Sequence, residues 1–447
     1  MSDDTIAARA TPPGRGALAI VRVSGPGAAA ARDAVVRPRR PGPWRAGRTR
    51  RVDLVDAEGP FDDGVAIWGA APATYTGEDS LEVSLHGNPL LVDRLLRALR
   101  AVGVRGARPG EFTRRAVEHG KLDLVHAEAT DQLIRARTAA GAAIARSGLS
   151  GALHAEQIRA RRRLADLAAE LEARLDYPDD ELALLDDTAW SAEAEALARR
   201  AQELADTVGA GRRRVDGARV ALVGPVNAGK SSLFNALLGR RRALVHEGAG
   251  TTRDVLEVPA LWSGLEVTLL DTAGERSTDD PVEAAGLALA RELVDEADLL
   301  VVVLRADQHG VDAVEADILA RTSTRERVLV LNGVDRDAVA TSGWPEGVLR
   351  TSAATGEGVE GLREAIVASL GRVDAATGLQ LASERQADRW QAVAGGCREA
   401  VEALTMAGPA AAAQCLTEAM GALAELTGHD AREAVLDAVF SRFCIGK

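Results

Sequence analysis

The sequence predicts a multidomain fold with α/β and α parts: an α+β amino-terminal domain, a helical domain made from two separated segments, and a doubly wound α/β domain inserted between those segments. Three observations predict it. Short β-like runs broken by Gly/Pro turns occupy residues 1–118. A text rich in Ala, Leu, Arg and Glu fills 119–215 and returns over 374–447. Between them, over 216–373, apolar strands alternate with helical segments, the pattern of a mostly parallel, buried sheet.

Within 1–118, residues 17–23 and 64–68 read as strands and 89–102 as a helix; the Pro- and Arg-rich stretch 37–43 reads as a loop. In the helical text, Leu164, Leu167, Leu171 and Leu175 recur at spacings of three and four, which makes one apolar helix face. Pro178 interrupts that helix, an acidic stretch Asp179-Asp180-Glu181 follows, and a second helix covers about 192–208. The sheet of the inserted domain takes its strands from the apolar runs 220–223, 267–270, 299–304 and 328–331.

A net charge of −12 over 447 residues excludes a globally basic nucleic-acid binder. An RNA partner would need local patches or a second protein. Arg161-Arg162-Arg163, Arg212-Arg213-Arg214 and Arg240-Arg241-Arg242 are such clusters, although each also reads as a solvated face. Cys397, Cys415 and Cys444 are too few, and odd in number, for a disulfide framework, which points to a reducing compartment. The first apolar stretch is too short for a secretory signal and is broken by Arg22, and no run approaches the roughly 18 apolar residues of a membrane span. A cytoplasmic protein without membrane association is expected. Lysine occurs only at Lys121, Lys230 and Lys447 amid abundant arginine, which singles out three places where a compact ammonium is kept.

The motifs lie at strand ends. Gly224-Pro-Val-Asn-Ala-Gly229-Lys230-Ser231 follows a strand and opens a helix, the context that makes it a phosphate loop. Its amides, from Asn227, Ala228 and Gly229 through Ser231 and Ser232, would curl around phosphate oxygens at a helix amino terminus. Lys230 would neutralise the terminal phosphates and Ser231 would ligate Mg²⁺. Asp271-Thr272-Ala273-Gly274 ends the next buried strand, where a carboxylate holds the Mg²⁺ shell and Gly274 meets the γ-phosphate. Gly250-Thr251-Thr252-Arg253-Asp254 lies where a switch loop belongs, with Thr252 as second Mg²⁺ ligand. Asn332-Gly-Val-Asp335 resembles a guanine-reading loop, with Asp335 on the ring and exocyclic amine, and Ser352-Ala353 fits the last base-contacting loop. Five such motifs in order imply a guanine-nucleotide hydrolase. Gly333 stands where that loop ordinarily has lysine, which predicts weaker nucleotide binding with the guanine preference kept.

At these residues the chain resembles the MnmE (TrmE) family of tRNA-modification GTPases. The resemblance spans nearly the whole length. It includes Asp4-Thr-Ile, Ala10-Thr-Pro-Pro-Gly-Arg-Gly16, Tyr75-Thr-Gly-Glu-Asp-Ser-Leu-Glu82, His86-Gly87, Ala107-Arg-Pro-Gly-Glu-Phe-Thr113, Lys121-Leu-Asp-Leu124, Ala127-Glu-Ala129 and the carboxyl-terminal Phe443-Cys-Ile-Gly-Lys447. It implies a tetrahydrofolate-binding-like and dimerising amino-terminal domain. By position, Arg22, Glu82, Lys121 and Lys447 match the family's folate contacts; ordinary surface ion pairs are the competing reading. Glu283 matches the catalytic glutamate that acts through bridging water. Glu275, beside the γ-phosphate position, departs from the family's apolar residue and is not favoured as the water-orienting group. Asn227, His246, Gly248 and Thr251 match the K⁺-coordinating positions, within a loop that also brings Glu247, Ala249 and Gly250 to the nucleotide.

The family further implies a homodimer whose GTPase domains meet during hydrolysis. It implies an FAD-binding partner, MnmG, in a heterotetramer, with a reduced folate (5,10-methylene- or 5-formyl-tetrahydrofolate) as one-carbon source for carbon 5 of the wobble uridine of tRNA. Cys444 is either a thiol with a chemical role or a buried apolar residue. The other reading of the whole chain is a regulatory GTPase of ribosome assembly or signalling, in which the amino-terminal domain only dimerises; the carboxyl-terminal Cys-Ile-Gly-Lys separates the two.

Overall fold

The computed structural model describes residues 4–176, 185–239, 256–271, 294–308, 310–335, 343–371, 379–428 and 433–446. The chain divides into two units. One comprises Met1–Asp131, His154–Ala198 and Ala392–Lys447; the other comprises Gln132–Leu153 and Arg199–Gln391.

The first unit begins with a sheet of β1 (Ile6–Arg9), β2 (Leu18–Ser24), β3 (Val36–Pro38), β4 (Thr49–Asp56), β5 (Gly59–Gly69), β6 (Ser80–His86) and β7 (Arg105–Gly106). Their spatial order is β3-β4-β5-β6-β2-β1-β7, antiparallel throughout except for the parallel pair β1–β7. Side chains alternate across a strand. Ala19, Val21 and Val23 of β2 and Leu81, Val83 and Leu85 of β6 therefore share a buried face, covered by α1 (Ala28–Val35) and α2 (Pro89–Ala101). Each fully buried leucine there, such as Leu95 or Leu99, stabilises the unit by about 1.5–3 kcal/mol. Helix α2 starts where Asn88 accepts from the Leu90 amide at 3.0 Å and Pro89 fixes the first turn. The same alternation turns Arg22 and Glu82 to the opposite face, directly across from one another. Helix α3 (Glu111–Glu118) closes the sheet segment.

The middle of the chain is helical: α4 (Leu124–Arg135), α5 (Ala139–Leu149), α6 (Ala152–Asp176), α7 (Asp187–Asp206) and α8 (Val208–Asp216). Leu164, Leu167 and Leu171 of α6 are buried as their spacing predicts, and the indole of Trp190 donates to the Leu167 carbonyl at 3.1 Å. Leu175 departs from expectation: in the last turn of α6 it is 47% exposed. The Arg212–Arg214 cluster departs too. Arg212 stays exposed while meeting Asp298 at 2.9 Å, Arg213 donates to the Leu370 carbonyl at 3.1 Å and Arg214, buried, donates to Gln380 at 2.5 Å, so only part of the cluster is a solvated face.

The second unit holds a sheet of described strands β8 (Ala218–Val223), β9 (Leu256–Trp262), β10 (Leu265–Asp271), β11 (Leu299–Arg305), β12 (Arg327–Asn332) and β13 (Leu349–Thr351), in the order β13-β12-β11-β8-β10-β9. All neighbours are parallel except β10–β9. Strand β8 comes first yet lies inside, with β10 on one side and β11 on the other, so its carboxyl end is the switch point where doubly wound sheets bind ligands. Helices α9 (Lys230–Leu238) and α11 (Val359–Ser369) cover one core, through Leu233, Phe234, Leu362 and Ile366; α10 (Ala313–Arg321) contributes Ile318 to another. The carboxyl-terminal part is α12 (Glu384–Ala407), α13 (Pro409–Thr427) and α14 (Glu433–Phe440). Phe440 and Phe443 pack with Leu124 and Ala127 inside the first unit. Among the described residues, no helix is long and apolar enough to cross a membrane.

Candidate functional site

The loop from Gly224 to Gly229 joins β8 to α9. Asn227 takes a left-handed φ of 64°, and Gly229, at φ 81°, is the residue before the helix. Gly229 is required by close approach: a Cβ there would lie 2.4 Å from Nδ2 of Asn332. Lys230 is 6% exposed, and its Nζ donates to the carbonyls of Gly224 and Pro225 at 2.8 Å each. The ammonium thus stands over its own loop. Ala228 is buried, while Ser231 and Ser232 are exposed on the first turn of α9. Asp271 ends β10 and pairs in register with Leu222 of β8. Its Oδ1 is buried and has no hydrogen-bond partner among the described residues. An orphaned carboxylate oxygen is costly unless a cation or an ordered water meets it. This donor set, a hydroxyl on the helix start and a carboxylate at the neighbouring strand end, fits Mg²⁺, which takes oxygen ligands and keeps several waters.

Asn332 ends β12 and is buried. Its Nδ2 donates to the Ala228 carbonyl at 3.0 Å, while its Oδ1 accepts from the Ala353 amide at 3.1 Å and the Thr351 hydroxyl at 3.4 Å. One side chain therefore ties the phosphate loop to the loop after β13. Gly333 adopts φ 91° and donates to the Thr351 carbonyl at 2.8 Å. Asp335 is exposed just beyond. Ser352 is fully buried, and its hydroxyl accepts from the Thr355 amide at 3.1 Å, which holds the turn that carries Ala353. The structure thus gathers Ala228, Asn332 and Ala353 into one hydrogen-bonded cluster, with Gly229 in close approach to it.

On the open face of the amino-terminal sheet, Arg22 Nε donates to Glu82 at 2.8 Å. The guanidinium carbon of Arg22 lies 5.7 Å from the ring centres of both Tyr75 and Phe112, within cation–π range. Its Nη1 donates to the Gly446 carbonyl at 3.4 Å. The carboxyl-terminal strand-like stretch is held there by a bridge between Pro109 and Ile445. Arg22, Trp68, Tyr75 and Glu82 line a cavity of about 220 Å³. Lys121 donates to the Pro72 carbonyl at 2.9 Å, one residue before Ala73 of that lining. Cys444 is exposed, which removes the buried-apolar reading of this thiol. Cys397 is buried instead, and burial pushes its thiol up to about 12.

Behind this cavity lies a network whose composition the sequence motifs carried without explaining. Arg115, on α3, is almost wholly buried and meets Asp4 at 2.6 Å, Glu78 at 3.1 Å and Glu111 at 3.2 Å. Ser24 donates to Glu78 at 2.7 Å and shares a hydrogen bond with Thr76 at the same distance. Asp4, Glu78 and Glu111 come from three of the quoted motifs, so those motifs converge on one buried guanidinium. Arg115 lies outside each of the quoted stretches, and the adjacent pair Arg114-Arg115 gives no sign of which one is buried.

Several expected positions lie outside the described residues: His246, Glu247, Gly248, Ala249, Gly250, Thr251, Thr252, Thr272, Ala273, Gly274, Glu275, Glu283, Lys447 and the Arg240–Arg242 cluster.

Comparison with known proteins agrees with this geometry in kind. The family described as "MnmE helical domain" matches residues 124–444, and that described as "GTP-binding protein TrmE N-terminus" matches residues 5–121. The protein named tRNA modification GTPase MnmE from Roseiflexus castenholzii is 40% identical over 468 residues, covering 100% of this chain and 100% of that protein. Its namesake from Synechococcus sp. (strain CC9605) is 41% identical over 461 residues, with 100% of both chains covered. That from Myxococcus xanthus is 42% identical over 457 residues, covering 100% of this chain and 99% of the relative.

Proposed function

The chain belongs to the MnmE family of tRNA-modification GTPases, and from that membership we propose that it is a potassium-activated GTPase which, as a homodimer with the FAD-binding partner MnmG, carries out folate-dependent modification of carbon 5 of the wobble uridine in the cytoplasm. It is a GTP-hydrolysing enzyme of tRNA modification that binds GTP and Mg²⁺. We assign residues 1–118 to folate binding and dimerisation, 119–215 with 374–447 to the helical domain, and 216–373 to the GTPase domain.

The observation that carries the reading is that the ends of neighbouring strands bring together Lys230, poised over the Gly224–Gly229 loop, and a buried Asp271 oxygen without a hydrogen-bond partner among the described residues. In this reading the loop amides of Asn227 to Ser232 cradle the phosphates and Lys230 balances their charge. Ser231 and Thr252 would ligate Mg²⁺, and the Asp271 carboxylate would hold its water shell. Asn227, His246, Gly248 and Thr251 hold K⁺. When bound, these cations neutralise charge that develops on the transferred phosphoryl group. Glu283 orients the attacking water. Asn332, Asp335, Ser352 and Ala353 receive the guanine, with Asp335 selecting it over adenine.

The exposed face around Arg22 and Glu82 supports the folate assignment. A cation, a carboxylate and aromatic walls suit a pterin with donor and acceptor edges and an acidic tail. When bound, the folate supplies the one-carbon unit; Arg22, Glu82, Lys121 and Lys447 would hold and orient it.

The test is nucleoside mass spectrometry of tRNA from cells lacking this chain, alongside GTP turnover in KCl and in NaCl. Loss of the wobble modification and faster turnover in KCl are expected. Unaltered wobble uridine, or equal rates in the two salts, would overturn the corresponding half of the proposal.

A further inference from the structure

The stretch 37–51 carries seven arginines, and no acidic residue occurs between Asp33 and Asp53, in a chain of net charge −12. It runs from β3 through a connecting loop into β4, at the edge of the amino-terminal sheet. Three of the seven have partners within the sheet and its loop. Arg39 meets Asp53 at 2.7 Å, Arg51 meets Asp63 at 3.3 Å, and Arg50 donates to the Gly42 carbonyl at 2.7 Å and also to that of Arg40. Trp44 is held between the guanidiniums of Arg32 and Arg50, each 5.1 Å from its ring centre. The Gly47 amide donates to the Trp68 carbonyl at 2.9 Å, and Arg39 donates through its amide to Arg51 at 3.1 Å. This is a fixed loop.

The remaining four, Arg37, Arg40, Arg45 and Arg48, are exposed, and their guanidiniums have no partner among the described residues. Ala46 and Gly47, between two of them, line the cavity that holds Arg22 and Glu82.

We propose that this arginine-rich loop docks the phosphate backbone of tRNA at the mouth of the Arg22–Glu82 cavity. The inference rests on the tRNA-modifying reading and adds the place where the RNA is held. Guanidinium forks match phosphate oxygens, and contacts of this kind position a nucleic acid without reading its sequence. A protein partner fits less well, because protein interfaces have an apolar centre and no large apolar side chain is exposed within 37–51. Location supports the same occupant: phosphates gripped by Arg45 and Arg48 bring the adjoining nucleotide to the cavity whose wall is Ala46–Gly47.

The experiment measures binding of an unmodified tRNA transcript to the full chain by fluorescence anisotropy across a salt series. Wild type is compared with Arg37→Gln/Arg40→Gln/Arg45→Gln/Arg48→Gln. Each lost phosphate contact flattens the slope of log K against log[salt] by about 0.7–0.9, so the quadruple variant should lose about 3 from the slope and about tenfold or more in affinity at low salt. The pairwise variants R37Q/R40Q and R45Q/R48Q should each lose about half of that slope, which keeps the test alive if the quadruple variant misfolds. GTP turnover should be unchanged in all three. A control, Arg161→Gln/Arg162→Gln, removes exposed charge from α6 and should leave the slope almost intact.

The proposal falls if the quadruple variant keeps wild-type slope and affinity, if the control loses equally, if wild type itself fails to bind, or if only binding to the FAD-dependent protein partner weakens. Wobble-uridine content in cells separates the two layers. Normal content in cells lacking the chain defeats the tRNA-modifying reading, whereas lost content there with full modification by the quadruple variant defeats the docking loop alone.

Discussion

Asn332 carries a load that its motif only half declares. Replacing it with alanine strands the buried Ala228 carbonyl and the Ala353 amide, and each orphaned group costs about 1–3 kcal/mol. We expect Asn332→Ala to weaken GTP and GDP together, by about tenfold or more, and to lower the urea midpoint; unchanged affinities for both would contradict the tie between the two loops. Gly229→Ala should act through the same contact, since its new Cβ drives into Nδ2 of a side chain fixed at both ends. Gly333 holds a φ of 91°, so Gly333→Lys adds an ammonium only with backbone strain of about 1 kcal/mol, measurable as a drop in denaturation midpoint. The thiols divide in the same concrete way. Iodoacetamide at mildly alkaline pH should label exposed Cys444 in the native protein and spare Cys397, whose thiol burial holds protonated. Peptide mapping with equal labelling of the two would refute that. At this scale the phosphate loop was legible because glycine and lysine at fixed offsets have one common use. The tie made by Asn332 was not, because a buried asparagine's partners depend on which strands become neighbours.

Helix α3 is the element on which the amino-terminal sheet leans. Its Arg115 faces Asp4, Glu78 and Glu111, and Arg115→Ala would leave three carboxylates around an empty place, at a cost of about 3–5 kcal/mol. Burial alone would raise the carboxyl of Glu111. The bond from Arg105, the Arg108 amide and the charges of Arg105 and Arg115 outweigh burial and hold it below its ordinary 4.5. A group depressed on folding contributes stability that is present above the unfolded value and lost as pH falls through the folded one. Unfolding of the amino-terminal unit should therefore become easier as pH drops below about 4.5, and Glu111→Gln should flatten that dependence while lowering stability at neutral pH. An acid limb unchanged by the substitution would show that Glu111 is not its source. Element prediction succeeded where periodicity is strong, as in the inner strands β8, β11 and β12 and the Leu164–Leu171 face. It missed β9, whose Glu257 and Pro259 suit an antiparallel edge and break an apolar run, and β13, three residues long.

For the whole molecule, the multidomain fold class was readable from composition shifts, since long helices and buried parallel strands use different alphabets. The ion pair on the open face of the amino-terminal sheet was not readable from composition, because Arg22 and Glu82 become neighbours only once β2 and β6 are in register. If two GTPase domains meet around K⁺, sedimentation with a non-hydrolysable GTP analogue should yield a tighter association in KCl than in NaCl, and turnover should differ by about tenfold or more. Identical sedimentation in the two salts would separate hydrolysis from assembly.

The bond from Arg22 to the Gly446 carbonyl spans 424 positions of sequence. A ribosome makes this chain from one end at a finite pace, so the first sheet can fold long before its last wall exists. Substitutions that displace Gly446 would therefore loosen the guanidinium of a strand laid down hundreds of residues earlier, a neighbour in space that is remote along the chain.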